Sequence, residues 1–133
     1  MGKSSFGPII MILVNIVLVS IGQISLRYGA SRLGDLRTGH SITASLLMAL
    51  KGIFTPYVFF GLSLYALSAV IWILVLNQVR LSFAYPLISL SYVLVVLLSA
   101  FILHEKVPLV TVAGLVFICM GVSLIGVGYG AGK

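Results

Sequence analysis

The chain has 133 residues, of which 61% are hydrophobic and 8% are charged, and its mean hydropathy is +1.26. A soluble domain of this length cannot bury so much apolar surface in one core, so the composition indicates an integral membrane protein. The basic residues that give the net charge of +6 are spread over predicted loops and helix ends. This distribution argues against a nucleic-acid partner and favours contact with anionic lipid headgroups.

Four uncharged runs are each longer than the roughly 20 residues that a helix needs to cross about 30 Å of hydrocarbon. They predict an all-α protein with four transmembrane helices, over about residues 6–28, 55–79, 81–103 and 107–128. The first run could also be a signal peptide, since Lys3 precedes it. It is longer than the ~7–15 apolar residues of a signal core and three more runs follow, so we interpret it as a span.

The first connection is the longest of the three, and its second half has the sequence SITASLLMALKGIF. This segment places Ile42, Leu46, Leu50 and Phe54 four residues apart. The spacing fits a short helix in the membrane interface, with Lys51 reaching lipid headgroups. It fits an N-terminal extension of the second span equally well.

Charge gives a weak indication of orientation. Four spans place the first and third loops on one side of the membrane, and five of the eight Lys and Arg residues fall there. The positive-inside rule then puts these loops in the cytoplasm, although a difference of two charges leaves dual insertion open. A bacterial inner-membrane location is the expectation.

Three spans each carry one polar or aromatic face. In the first span, Asn15, Gln23 and Arg27 recur at multiples of four residues. The other two faces consist of Gly61, Tyr65, Ser68 and Trp72 in the second span and Ser82, Tyr85, Ser89 and Tyr92 in the third. Polar faces are costly against lipid, so we expect them to line a substrate groove. The alternatives are helix packing by Ser and Gly, interfacial placement of the aromatic residues and simple snorkelling of Arg27.

Acidic residues are confined to the predicted loops, where Asp35 and Glu105 are the only two. An exporter that exchanges protons for a lipophilic cation needs a carboxylate within the membrane, and the spans contain none. The groove instead has a cationic end at Arg27, which suits a phosphate or another anion. For Glu105 three interpretations stay open: a capped, solvated loop residue, a headgroup contact, or an ion pair with Arg27.

The fourth span contains GLVFICMGV, which places Gly114 and Gly121 seven residues apart on one face. Small residues at this spacing let another helix approach closely. Because four helices are few to enclose a pathway, we expect a dimer, either of two copies or with a homologous subunit.

The single cysteine, Cys119, lies in this span. The chain has no paired acids, activated nucleophile or phosphate loop, so we predict no enzyme, metal or cofactor.

Several short motifs recur in order along the spans. They are Gly22, Gln23 and Arg27 in the first span, Trp72, Leu74 to Leu76 and Asn77 in the second, Ala84 to Pro86, Ser89 and Leu90 in the third, and His104 and Glu105 after it. With GLVFICMGV, they resemble the four-helix, small multidrug resistance-like branch of the drug/metabolite transporter superfamily. They are especially similar to the subunits proposed to flip undecaprenyl phosphate-aminoarabinose.

This resemblance implies a membrane carrier. Aligning Gly22 with the multidrug transporters puts Val19 where they carry an essential glutamate, which argues against drug–proton antiport here. Pro86 lies one turn into the third span, where its missing N–H would bend the helix. Such a hinge could let the groove open alternately to each side.

The leading hypothesis is a dimeric flippase that moves a polyprenyl phosphate-linked sugar, or a related anionic lipid, between leaflets. Arg27 and Gln23 would bind the phosphate, and Tyr85, Ser89 and Tyr92 the sugar hydroxyls. Two alternatives stay open. One is an exporter in which Tyr65, Trp72, Tyr85 and Tyr92 clasp an organic cation. The other is a non-transporting subunit that positions a membrane glycosyltransferase or another carrier.

Overall fold

The computed structural model describes residues 6–33 and 41–131, and all regular structure in these ranges is helical. The helices are α1 (Phe6–Ser31), α2 (Ile42–Gly52), α3 (Pro56–Gln78), α4 (Leu81–Ile88), α5 (Leu90–Ile102) and α6 (Leu109–Ala131). Four stretches are long and apolar enough to cross a membrane: Gly7–Ser31, Pro56–Gln78, Leu81–Ile102 and Leu109–Tyr129. The predicted all-α fold with four spans is therefore confirmed. Asp35, predicted to lie in the first loop, falls outside the described residues.

The third span is interrupted where α4 and α5 meet at Ser89. Pro86 lacks the N–H that would continue the α-helical bonding pattern, and its ring crowds the preceding turn. The backbone N–H of Ser89 then donates to the Pro86 carbonyl at 3.1 Å, and the Ser89 hydroxyl donates to the same oxygen at 2.5 Å. The interruption lies three residues after the proline, and the role of Pro86 as a hinge stays a prediction.

The helix α2 is separate from α3. It ends at Gly52, and Thr55 donates to the Gly52 carbonyl through both its N–H, at 2.9 Å, and its hydroxyl, at 2.6 Å. These bonds close a turn before α3 begins, so α2 does not simply extend the second span. The side chains of Ile42, Leu46 and Leu50 are exposed, as an interfacial helix with its apolar face toward lipid requires.

The helices α1 and α3 form the most extensive contact and run antiparallel, although the longest loop joins them. They approach closely at Gly22 and Gly61, where a Cβ atom added to Gly61 would lie 2.9 Å from the Gly22 carbonyl oxygen. Glycine at both positions lets the two backbones meet. In lipid, close packing of this kind replaces the hydrophobic driving force that holds soluble bundles together.

The remaining helices build on this pair. The helix α5 packs against α1, and α6 lies against α4 and α5 with a smaller contact. The rings of Phe83 on α4 and Tyr129 on α6 stack with centroids 4.1 Å apart. A small buried cluster joins α1, α3 and α4 through Ile12, Ile16, Val75 and Ala84. Many large apolar side chains of the spans face outward, where acyl chains would surround them.

Candidate substrate site at the membrane boundary

An ion pair joins the end of the first span to the turn after the third. The Nε and Nη2 atoms of Arg27 both lie 3.0 Å from Oε1 of Glu105. The side chains are 60% and 40% exposed, respectively, so both groups are accessible from outside the protein. Of the three interpretations of Glu105, the structure shows the ion pair with Arg27.

The turn that presents Glu105 depends on an unusual backbone conformation. The N–H groups of Leu103 and Glu105 both donate to the Ser99 carbonyl, at 3.0 and 3.2 Å, and thereby end α5. Between them His104 has a φ of 54°, in the left-handed region. Histidine is among the residues that tolerate this region, at a cost of roughly 1–2 kcal/mol. This residue redirects the chain so that the next carboxylate meets α1.

Gln23 lies on α1 one helical turn from Arg27, which corresponds to an axial rise of about 6 Å. Its side chain is exposed and lies beside the Tyr65 side chain on α3. The structure therefore brings four of the predicted site residues together at one end of the bundle: Gln23, Arg27, Tyr65 and Glu105. We call these four residues the boundary site.

A second arginine beside this site is held by aromatic rings. The guanidinium carbon of Arg32 lies 4.8 Å from the ring centroid of Tyr28 and 5.4 Å from that of Tyr57. Its Nη2 also donates to the Tyr28 hydroxyl at 2.5 Å, and the two rings meet edge to face at 4.9 Å. Sequence reasoning missed this cluster, although the four-residue spacing between Tyr28 on α1 and Arg32 directly after α1 was a usable signal.

Asn15 and Ser68 face each other deeper in the bundle. They are 1% and 5% exposed, and Nδ2 of Asn15 donates to the Ser68 carbonyl at 2.6 Å. At this depth the polar faces of α1 and α3 pack together within the protomer and leave no open groove between them. The predicted contact of Asn15 with a substrate stays a prediction, and the contact seen is one between helices.

Of the other predicted site residues, Trp72 and Tyr85 lie toward the opposite end of the bundle, and Ser89 and Tyr92 lie near the middle of the third span. Trp72 and Tyr85 flank the tight turn at Arg80 and meet edge to face, with ring centroids 5.7 Å apart. Tyr85 and Tyr92 are 58% and 62% exposed. These aromatic residues therefore do not contact the boundary site, but they offer an exposed surface on the third span.

The fourth span presents its glycines to open space. A Cβ atom added to Gly114 or Gly121 would have no other group within 4 Å, so this face of α6 is uncovered in the protomer. The predicted role of the two glycines in a dimer stays a prediction.

Among residues 6–33 and 41–131, no group of His, Cys, Asp or Glu side chains could hold a metal ion.

Four apolar spans with an exposed arginine–glutamate ion pair at one end define a small multi-pass membrane protein. The chain belongs to the family of ArnF flippase subunits, because proteins of this name align over most of its length. One from Photorhabdus laumondii, a "probable 4-amino-4-deoxy-L-arabinose-phosphoundecaprenol flippase subunit ArnF", is 38% identical over 116 residues, 85% of this chain and 91% of that protein.

Other relatives extend this finding. A Shewanella sediminis protein of the same name is 32% identical over 130 residues, 91% of this chain and 88% of its own length. A subunit named ArnE from Pseudomonas paraeruginosa is 36% identical over 72 residues, 54% of this chain and 63% of that protein. No protein-family model and no solved structure matches the chain. The resemblance to flippase subunits that the sequence motifs indicated is confirmed.

Proposed function

We propose that this chain is a subunit of a flippase that moves a polyprenyl phosphate-linked amino sugar between the leaflets of the bacterial inner membrane. The observation that carries the proposal is the exposed Arg27 at the end of α1, in a family whose members are named for such a lipid. The ArnF and ArnE relatives are transport proteins by name, which supports a carrier over an enzyme.

The main barrier to flipping is the transfer of a charged phosphate out of water. Arg27 lowers this barrier because its guanidinium donates charge-assisted hydrogen bonds to phosphate oxygens. Gln23 offers further donors one turn deeper, beside the Tyr65 hydroxyl. The polyprenyl tail stays in the acyl chains throughout, so only the headgroup needs a polar path.

The path beyond the boundary site requires more than one protomer. Asn15 and Ser68 close the contact between α1 and α3, whereas Tyr85 and Tyr92 are exposed on the third span. A second subunit, packed through the uncovered glycine face of α6, would complete a groove in which these tyrosines bind sugar hydroxyls. The existence of relatives named as ArnE and ArnF subunits supports a homologous partner as well as a second copy.

Alternating access would use the interruption of the third span. The Ser89 N–H bonds to the Pro86 carbonyl, three residues back and not four as in an α-helix, so the α-helical bonding pattern is interrupted where α4 meets α5. We propose that the two helices change their relative angle at this interruption. In one state the groove would be open beside α4 and closed beside α5, and in the other state the reverse. The headgroup would then be exposed to each side of the membrane in turn.

A reconstitution experiment tests this proposal. The protein is purified in the assembly in which it leaves the membrane and placed in liposomes containing the amino-sugar phosphopolyprenol. Membrane-impermeant periodate then oxidises the sugar diol only in the outer leaflet, and lipid mass spectrometry follows the oxidised fraction. We expect wild-type protein to expose the inner-leaflet pool and Arg27→Gln to fail.

The matched control is Lys106→Gln, which removes a basic residue from the adjacent turn without touching the ion pair. It should retain transport. Equal flipping by wild type and Arg27→Gln, with both folded, would contradict the assigned role of Arg27, and absence of flipping by every form would contradict the proposed function.

A further inference from the structure

The pairing of Arg27 with Glu105 suggests how the headgroup is recognised. Resting on the proposed function, we propose that the ion pair exchanges partners with a zwitterionic lipid, so that the phosphate takes Arg27 and the sugar ammonium takes Glu105. Glu105 then becomes the residue that selects a headgroup with a free amine.

The geometry of the ion pair leaves both residues with unused bonding capacity. Nε and Nη2 of Arg27 converge on the single oxygen Oε1 of Glu105. Among the contacts of the described residues, none engages Oε2 of Glu105 or Nη1 of Arg27. A ligand can therefore make its first contact with either partner before the pair opens.

The pair is also easy to open. Both side chains are substantially exposed, and exposed ion pairs contribute little to stability because water and salt screen them. The arginine side chain is long and flexible, so its guanidinium can withdraw to admit a sugar ring between the two charges. In the lipid for which the relatives are named, the amine and the phosphate lie on opposite sides of the sugar ring. The ring can therefore sit between Arg27 and Glu105, with the phosphate on the arginine and the amine on the glutamate.

Charge balance explains why the exchange favours a zwitterion. A lipid with both groups replaces each lost contact, and neither Arg27 nor Glu105 is left unpaired. A lipid with phosphate alone would take Arg27 and leave the Glu105 carboxylate beside a second negative charge. This repulsion provides selectivity against headgroups that lack the amine.

No competing acid is available in the described chain. The only acids are Asp35 and Glu105, and Asp35 lies outside the described residues. The neighbouring cation Arg32 is held by Tyr28 and Tyr57, so it does not replace Arg27 as the partner of Glu105. Glu105 is therefore the carboxylate that the described structure offers to an ammonium group at this end of the bundle.

The test compares two lipids that differ only in the amine: the amino-sugar phosphopolyprenol and its N-acetylated form. Both retain the diol and are cleaved by periodate, so the rate of flipping of each is taken from the slow phase that follows oxidation of its outer-leaflet pool, in one protein preparation. We expect wild-type protein to move the free-amine lipid roughly tenfold faster, as the loss of one hydrogen bond between charged groups implies. Glu105→Gln should bring the ratio of the two rates close to one by slowing the free-amine lipid.

Glu105→Asp keeps the charge and should preserve the preference, which makes it informative if Glu105→Gln does not fold. Lys106→Gln is the control for a change of charge in the same turn and should leave the ratio unaltered. If Glu105→Gln slows both lipids by the same factor, or leaves the ratio at its wild-type value, the inference is wrong while the proposed function stands. If wild-type protein moves neither lipid, the proposed function itself fails.

Discussion

The amide nitrogen of Asn15 lies 2.6 Å from the carbonyl oxygen of Ser68, and this bond joins the first two spans deep within the bundle. Both residues are buried, and the Ser68 hydroxyl donates to the Tyr65 carbonyl of its own helix at 2.8 Å. A polar face that the sequence would assign to a substrate groove is thus partly used to hold α1 against α3. In the boundary site, by contrast, the side chains of Gln23, Arg27 and Glu105 are exposed.

Replacing Asn15 by Leu should destabilise the protein by about 1 kcal/mol, because hydrogen bonds between membrane helices have this order of strength. The measurement is thermal unfolding in detergent. Ser123→Ala is the control, since the Ser123 hydroxyl only donates to the Cys119 carbonyl of its own helix on the exposed side of α6. An unchanged melting temperature for Asn15→Leu would show that the bond adds no stability.

Gly61→Val should destabilise the contact between α1 and α3 more strongly, by about 1–3 kcal/mol, because the added side chain meets the Gly22 backbone and the Leu26 side chain. The same unfolding assay reports it. Gly126→Val introduces an equal side chain where an added Cβ has open space, and it should have little effect by comparison. Equal losses in both variants would argue against close packing at Gly61.

Gly121→Leu should weaken assembly while leaving the protomer folded, because this face of α6 has no neighbour within the protomer and is proposed to meet a partner. Native mass spectrometry in detergent gives the distribution of oligomers directly. Gly126→Leu places the same side chain on another face of α6 and serves as the control. An unaltered distribution for Gly121→Leu would remove the glycine face from the interface.

Pro86→Ala should restore the missing N–H and make the third span more continuous. We expect it to slow flipping several-fold without lowering the melting temperature, since the change removes a hinge and not a packing contact. The liposome assay with periodate measures the rate. Full transport by a variant whose third span has become a regular helix would show that the interruption at Ser89 is not needed for alternating access.

The number and kind of spans followed from the sequence because the bilayer fixes both. A run of about 20 uncharged residues has few alternatives in hydrocarbon, where every backbone group must bond within its own segment. Periodicity also placed Asn15, Gln23 and Arg27 on one face of α1. It could not say what meets that face, since this depends on how the neighbouring helix rotates about its axis.

The boundary site was predictable only in part. The pairing of Arg27 with Glu105 was one of three alternatives, because it joins residues 78 positions apart in the chain and depends on the left-handed backbone of His104. The cluster of Arg32 with Tyr28 and Tyr57 was missed, as it requires the register between α1 and α3. That register is set at Gly22 and Gly61, where the two backbones come close.

The contact between the Arg27 guanidinium and the lipid phosphate is the central claim, and solid-state NMR can measure it directly. Protein labelled with ¹⁵N-arginine is reconstituted with a phosphorothioate analogue of the amino-sugar lipid, whose ³¹P resonance is separate from that of bulk phospholipid. We expect ³¹P to dephase a guanidinium signal in the wild type and the effect to vanish in Arg27→Lys. Dephasing that persists in Arg27→Lys, or that is absent from a wild-type protein which flips the lipid, would contradict the assignment of Arg27 as the phosphate ligand.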